Sequence, residues 1–137
     1  MTERPHTGAH ESLNTVMGVM NNWQKRVFEP HELTPQRRAE RLNEEFVELE
    51  VAIMINEPKE ILEESVDCML GLAGIALTVA EPQEVAAAMF DKLMVILRKY
   101  DPNSVRALKA SGITTDMALD VRKTQWNRSN GKIPPAA

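Results

Sequence analysis

Two short strings carry the chemistry of this 137-residue chain: Glu44-Glu45-Phe46-Val47-Glu48 and, after 15 intervening residues, Glu64-Ser65-Val66-Asp67. Each holds a pair of carboxylates at i and i+3, a spacing that puts both on one face of a helix. Midway between the pairs lies position 56, and Asn56-Glu57-Pro58 is a turn signal in its own right. In an antiparallel helix hairpin closed there, both pairs stand at one level, about 14 Å from the turn at 1.5 Å per residue. Glu45, Glu48, Glu64 and Asp67 then converge, and four uncompensated negative charges in a seam between helices are strongly unfavourable. A cation is implied. Oxygen ligands alone suit Mg²⁺, with Mn²⁺ as second choice, and exclude a zinc-type donor set. Glu-rich helices do produce EExxE strings on solvated faces by chance; the matching pair across a turn favours a site.

The elements that must position these acids are helices. Prolines at 35, 58, 82 and 102 each open a stretch of helical periodicity, where a missing N–H costs nothing. The pattern predicts helices over 11–28, 35–56, 58–80, 82–100, 102–110 and 115–129, with no competing strand. The fold class expected is all-α: a helical bundle with an antiparallel central hairpin, completed by oligomerisation. On the second helix Leu42, Phe46, Leu49 and Ile53 form an apolar stripe that should pack, and Glu45, Glu48, Ala52 and Ile55 form a seam line beside it. Ile61, Glu64, Asp67 or Cys68, Gly71 and Gly74 face it from the third helix. From Met69 to Val79 that third helix is apolar all round, more than a hairpin partner and one further helix can cover, and Gly71 and Gly74 admit a close neighbour. A homodimer or homotetramer is the expectation. The fourth helix carries Val85, Met89, Phe90, Leu93, Met94 and Leu97. The chain reads as one domain over 1–137, with a core bundle at 11–100, C-terminal helices at 102–129 and a loose tail at 131–137.

Composition narrows the classes. Apolar residues make up 43% and charged residues 26%, the balance of a folded protein rather than a disordered tail. Residues 1–101 carry net −8 and residues 102–137 net +4, so an acidic body argues against nucleic acid as partner. One cysteine, Cys68, permits no intrachain disulfide, the N-terminal stretch lacks a signal-like apolar core, and the longest uncharged apolar run is the 13 residues from Cys68 to Ala80. The expected setting is cytoplasmic, with no membrane contact.

The string Glu44-Glu45-x-x-Glu48 followed by Glu64-x-x-Asp67 resembles the EExxE…ExxD signature of the MazG-like all-α nucleoside triphosphate pyrophosphohydrolases, whose relatives include dimeric dUTPases, dCTP pyrophosphatases and phosphoribosyl-ATP pyrophosphohydrolases. The likeness spans roughly residues 20–100. It takes in Trp23-Gln24, where several relatives present an aromatic near the base, and Lys92 with Arg98-Lys99-Tyr100, similar to the family's basic end of helix four. It implies Glu45, Glu48, Glu64 and Asp67 as metal ligands and Glu44 as a supporting or water-positioning acid. Lys92, Arg98 and Lys99 are then candidates for the phosphate chain and Trp23 for the base, although a cationic last turn also complements a helix C-terminus and a lone Trp also serves a core. Ile96 departs from the family, where many relatives have asparagine. The activity implied is Mg²⁺-dependent cleavage of a nucleoside triphosphate to monophosphate and pyrophosphate.

A di-iron carboxylate bundle fails as a rival, because its Glu-x-x-His elements are missing and His6, His10 and His31 all lie outside helices two to four. A non-catalytic helical adaptor, or a nucleic-acid binder using a basic C-terminal helix, is the alternative. Arg122, Lys123, Arg128 and Lys132 with Trp126 would serve it, or would close over substrate from a neighbouring subunit, though a solvated helix explains them equally. Cys68, on a buried helix, reads as a small hydrophobe.

Overall fold

A computed structural model describes residues 7–131, with the backbone alone at residues 7, 9 and 10. His6, the side chain of His10, Lys132 and the tail beyond Gly131 lie outside the described residues. Among those described, all regular structure is helical: α1 (Thr7–Val27), a short 3₁₀ turn (Pro30–Glu32), α2 (Pro35–Ile55), α3 (Pro58–Ala76), α4 (Pro82–Lys99), α5 (Pro102–Lys109) and α6 (Thr115–Ser129). Among the described residues no helix is long and apolar enough to cross a membrane.

The helix starts follow from local chemistry. Proline supplies the first turn of α2, α3, α4 and α5, and at the starts of α2, α5 and α6 a side chain satisfies one of the orphan amides. Thr34 Oγ1 accepts from the Arg37 amide at 3.2 Å, Asp101 Oδ2 from Ser104 at 3.0 Å and Thr114 Oγ1 from Met117 at 3.2 Å. Two boundaries differ from the periodicity. α1 begins at Thr7, four residues before the expected start, because Thr7 to His10 extend the helix without adding to its apolar stripe. α3 ends at Ala76 rather than at residue 80. There Thr78 turns its hydroxyl onto the Ile75 carbonyl at 2.6 Å, its amide bonds the same oxygen, and Pro82 disfavours helical geometry at Glu81.

The chain groups into two compact units divided between Met89 and Phe90, with α4 running through the division. In the first unit α2 and α3 pack along each other and α1 packs on α3. Asn56, at φ 62° and ψ 41°, ends α2 in the left-handed conformation, its amide reaching the Ala52 and Ile53 carbonyls. Asparagine is among the few residues besides glycine that accept this geometry cheaply. Met17, Leu77, Val85 and Ala86 form the buried core, flanked by Leu13, Met20, Ala73, Ala76 and Ala80. The stripe expected to pack on α2 is corrected: Phe46 and Ile53 are exposed, and the inward line is Arg38, Leu42, Glu45, Leu49 and Ala52, at spacings of 4, 3, 4 and 3. Leu42 packs there because Gly71 of α3 faces it; a Cβ on Gly71 would stand 2.8 Å from Leu42 Cδ1.

In the second unit Gly112, at φ 98°, makes the turn between α5 and α6, and Ala118 is buried. Arg122 donates from Nε to the Lys99 carbonyl at 3.0 Å and from Nη2 to the Arg98 carbonyl at 3.4 Å, so it caps the end of α4.

Candidate functional site

The α2–α3 pairing brings carboxylates together. One oxygen from each of Glu45, Glu48 and Glu64 lies within 4.8 Å of the other two. Asp67 stands outside that group but near enough for its charge to act on Glu45 and Glu64. Glu44 does not join them; it faces a separate concavity with Phe28, Glu32, Arg37, Arg38, Glu40 and Arg41.

Burial is the first cause that pushes the Glu45 carboxyl above the ordinary range, followed by the charges of Glu48 and Asp67, with Arg41 pulling the other way. Glu64 is raised as well, by burial and then by Glu48, Asp67 and Glu45. Glu48 is within hydrogen-bond reach of both, a contact that bonds only when one partner carries a proton. Glu64 Oε2 is buried and has no hydrogen-bond partner. Cys68 lies buried behind the acids, and its thiol is pushed up by burial and by all four of their charges. It is an inert packing residue here.

Beside the acids opens a cavity of about 360 Å³ lined by Met20, Trp23, Arg38, Arg41, Leu42, Glu45, Asp67, Leu70 and Gly71. Trp23 is 47% exposed, which removes the reading of it as a core residue, and it meets Phe28 edge-on at 5.8 Å. Glu45 and Asp67 thus wall the cavity that Trp23 also walls.

Arg38 and Arg41 are functional candidates that the motif spacing does not reveal. Arg41 is exposed and sits near Glu45. Arg38 is only 7% exposed and stacks its guanidinium over Phe28 at 4.8 Å. Its Nε is buried without a partner, and burial, followed by the neighbouring charge of Arg41, lowers its pKa. The hint in the sequence was Arg38, Leu42 and Glu45 at 4, 3 spacing, but arginine on a helix is normally a surface residue.

The cations expected at the phosphate chain belong to the second unit. Lys92 is exposed. Arg98 Nε is 3.4 Å from the Met94 carbonyl, and Lys99 Nζ rests 5.3 Å from the centre of the Tyr100 ring. In the basic C-terminal segment Arg122 is committed to α4 and to Gln125.

Compared with known protein families, with curated proteins and with solved structures, the chain matches none of them.

Proposed function

We propose that this chain is a Mg²⁺-dependent nucleoside triphosphate pyrophosphohydrolase of the MazG-like kind, with Mn²⁺ as an alternative ion, working as a homo-oligomer in a reducing, cytoplasmic setting. The observation that carries the reading is the convergence of Glu45, Glu48 and Glu64 from two helices within 4.8 Å, beside the cavity walled by Trp23. Leu42 opposite Gly71, Glu45 near Asp67 and Glu48 near Glu64 pair with one number rising as the other falls, which supports an antiparallel hairpin.

The residues fit a hard divalent cation. All donors are oxygens, one of them is buried and unpartnered, and two carboxyls are pushed towards the protonated form by burial and by the charges of their neighbours. Glu45, Glu48 and Glu64 would hold the ion, with Asp67 as fourth ligand. When bound, such an ion supplies charge neutralisation at phosphate oxygens and acidifies water. In the reaction, water adds to the α-phosphorus and the bond to the β-phosphate oxygen breaks, so pyrophosphate leaves without a protein nucleophile. Trp23 offers its exposed face to the base, in a cavity of the size that ligands occupy. Glu44 lends negative charge from the neighbouring concavity, and for Lys92, Arg98 and Lys99 the phosphate role rests on the family resemblance alone.

Oligomerisation is supported by the apolar residues left exposed: Met54 on α2, and Leu62, Val66, Met69 and Leu72 on α3. Light scattering is expected to give a multiple of 15.4 kDa; a single-chain mass with full activity overturns this part. The function is tested with a nucleotide panel and Mg²⁺, scoring pyrophosphate against orthophosphate. Pyrophosphate release that stops with a chelator supports it, and a panel with no turnover refutes it.

A further inference from the structure

The buried guanidinium of Arg38 has no stated task in that reaction. Among the described residues no carboxylate pairs with it and no carbonyl accepts from it; its one partner is the face of Phe28. A buried charge held by an aromatic face alone is poorly compensated. The fold nonetheless keeps it there by a specific device. Gly74 of α3 leaves the space that the side chain fills, for a Cβ at that position would stand 2.6 Å from Arg38 Nη2 and 3.2 Å from its Nε. Gln24, 1% exposed, closes the other side and ties itself to the Gly74 carbonyl through Nε2 at 3.2 Å.

Arg38 also lines the cavity that Trp23, Met20, Leu42 and Leu70 make apolar. A flat, exposed indole and aliphatic walls suit a planar ring; a fixed planar fork of N–H donors suits a ring edge bearing two adjacent acceptors. Two nucleobases have such an edge, a 6-oxopurine with O6 and N7 and cytosine with N3 and O2, whereas adenine sets an amino donor beside N7; the wider bicyclic face of the 6-oxopurine gains more from stacking on an indole. Donor against donor would leave buried groups unpaired on both sides.

We infer that Arg38 is the specificity-determining residue of the cavity, donating from its guanidinium to O6 and N7 of a 6-oxopurine nucleotide stacked against Trp23. The inference rests on the nucleotide reading of the site, and it adds the class of base. Arg41, beside Glu45, is left to the acidic side of the cavity.

The experiment is equilibrium binding by calorimetry of GMP, IMP, AMP, CMP and ribose 5-phosphate to the full chain with Mg²⁺ present. GMP and IMP are expected to bind more tightly than AMP by about 5- to 150-fold, the range of one bidentate arginine pair. Arg38→Lys and Arg38→Gln should bring GMP and IMP down to the affinity of AMP, leaving AMP and ribose 5-phosphate unchanged. Equal binding of GMP, IMP and AMP by the native chain overturns the inference, as does CMP binding as tightly as GMP or a chain that binds none of them. So does an equal loss for GMP, AMP and ribose 5-phosphate in the variants, which would make Arg38 a phosphate contact. Should the variants not fold, the native chain still decides: 7-deaza-GMP, lacking only the N7 acceptor, is expected to bind at least about 5-fold more weakly than GMP, and equal affinity overturns the inference. Binding of monophosphates needs no turnover, so a chain that prefers GMP but releases no pyrophosphate refutes the hydrolase alone, and one that hydrolyses without preference refutes the role of Arg38 alone.

Discussion

Replacing Gly74 by alanine should destabilise the protein, although the same exchange at Gly18 should stabilise it. Both glycines lie inside helices, where alanine is intrinsically better by about 0.5–1 kcal/mol. Their surroundings differ. A Cβ at Gly18 meets nothing within 4 Å, whereas one at Gly74 would stand 2.5 Å from Gln24 Oε1 and 2.6 Å from Arg38 Nη2. Neither side chain can swing into water, because both are buried and Gln24 is anchored to the Gly74 carbonyl. Overpacking of this kind costs about 1–3 kcal/mol, and loss of the Gln24 hydrogen bond adds about 0.5–1.5 kcal/mol. Set against the helix gain, the net loss is about 0.5–4 kcal/mol, or roughly 2–16 °C in Tm, while Gly18→Ala should raise Tm by a few degrees. Urea and thermal melts followed by far-UV circular dichroism measure both. A Gly74→Ala protein as stable as Gly18→Ala would refute the packing described around Arg38.

Three further outcomes follow from the site and the turn. Glu48→Gln and Asp67→Asn each remove an anionic ligand at nearly constant volume, so pyrophosphate release should fall at least about 100-fold while the helical circular dichroism spectrum is retained; rates near native in both variants would contradict the assignment. Glu45 and Glu64 have folded-state pKa values above their unfolded ones, so the folded state binds more protons than the unfolded state. Without divalent cations, their contribution to stability should therefore be fully present below the ordinary glutamate pKa and be lost as pH rises through the raised values, and Mg²⁺ should restore stability by binding the native state; a Tm at pH 8 indifferent to both Mg²⁺ and chelator would refute this. At Asn56, where φ is 62°, alanine should cost about 1 kcal/mol and glycine nothing or less, as read from urea midpoints.

The acid cluster was legible because its arithmetic is local. Of the pairs at i and i+3, equidistant from Asn56-Glu57-Pro58, Glu45, Glu48 and Glu64 come within 4.8 Å of one another while Asp67 stands outside the group, and Asn56 ends α2 in the left-handed geometry. What escaped depends on neighbours distant in the chain. Arg38 lies inside only because Gly74, 36 residues on, lacks a side chain and Phe28 offers a ring face. Periodicity marked Phe46 and Ile53 as inward because it weighs hydrophobicity alone; the inward line passes instead through Arg38 and Glu45, polar residues that an apolar count discards. The end of α3 at Ala76 was hidden for a similar reason, since an apolar run continues past it while a single threonine hydroxyl and a proline govern the backbone.

The cap that Arg122 places on α4 has a consequence for the order in which the chain acquires its structure. The carbonyls of Arg98 and Lys99 emerge from synthesis 23 or 24 residues ahead of the donors that satisfy them. At about 5–20 residues per second, that gap lasts on the order of one to five seconds. Throughout this time the last turn of α4 lacks its cap, while Met17 and Leu77, the core neighbours of Val85 and Ala86 at the other end of the same helix, have already been made. A nascent chain halted before residue 122 would thus carry one helix with a settled beginning and an unfinished end.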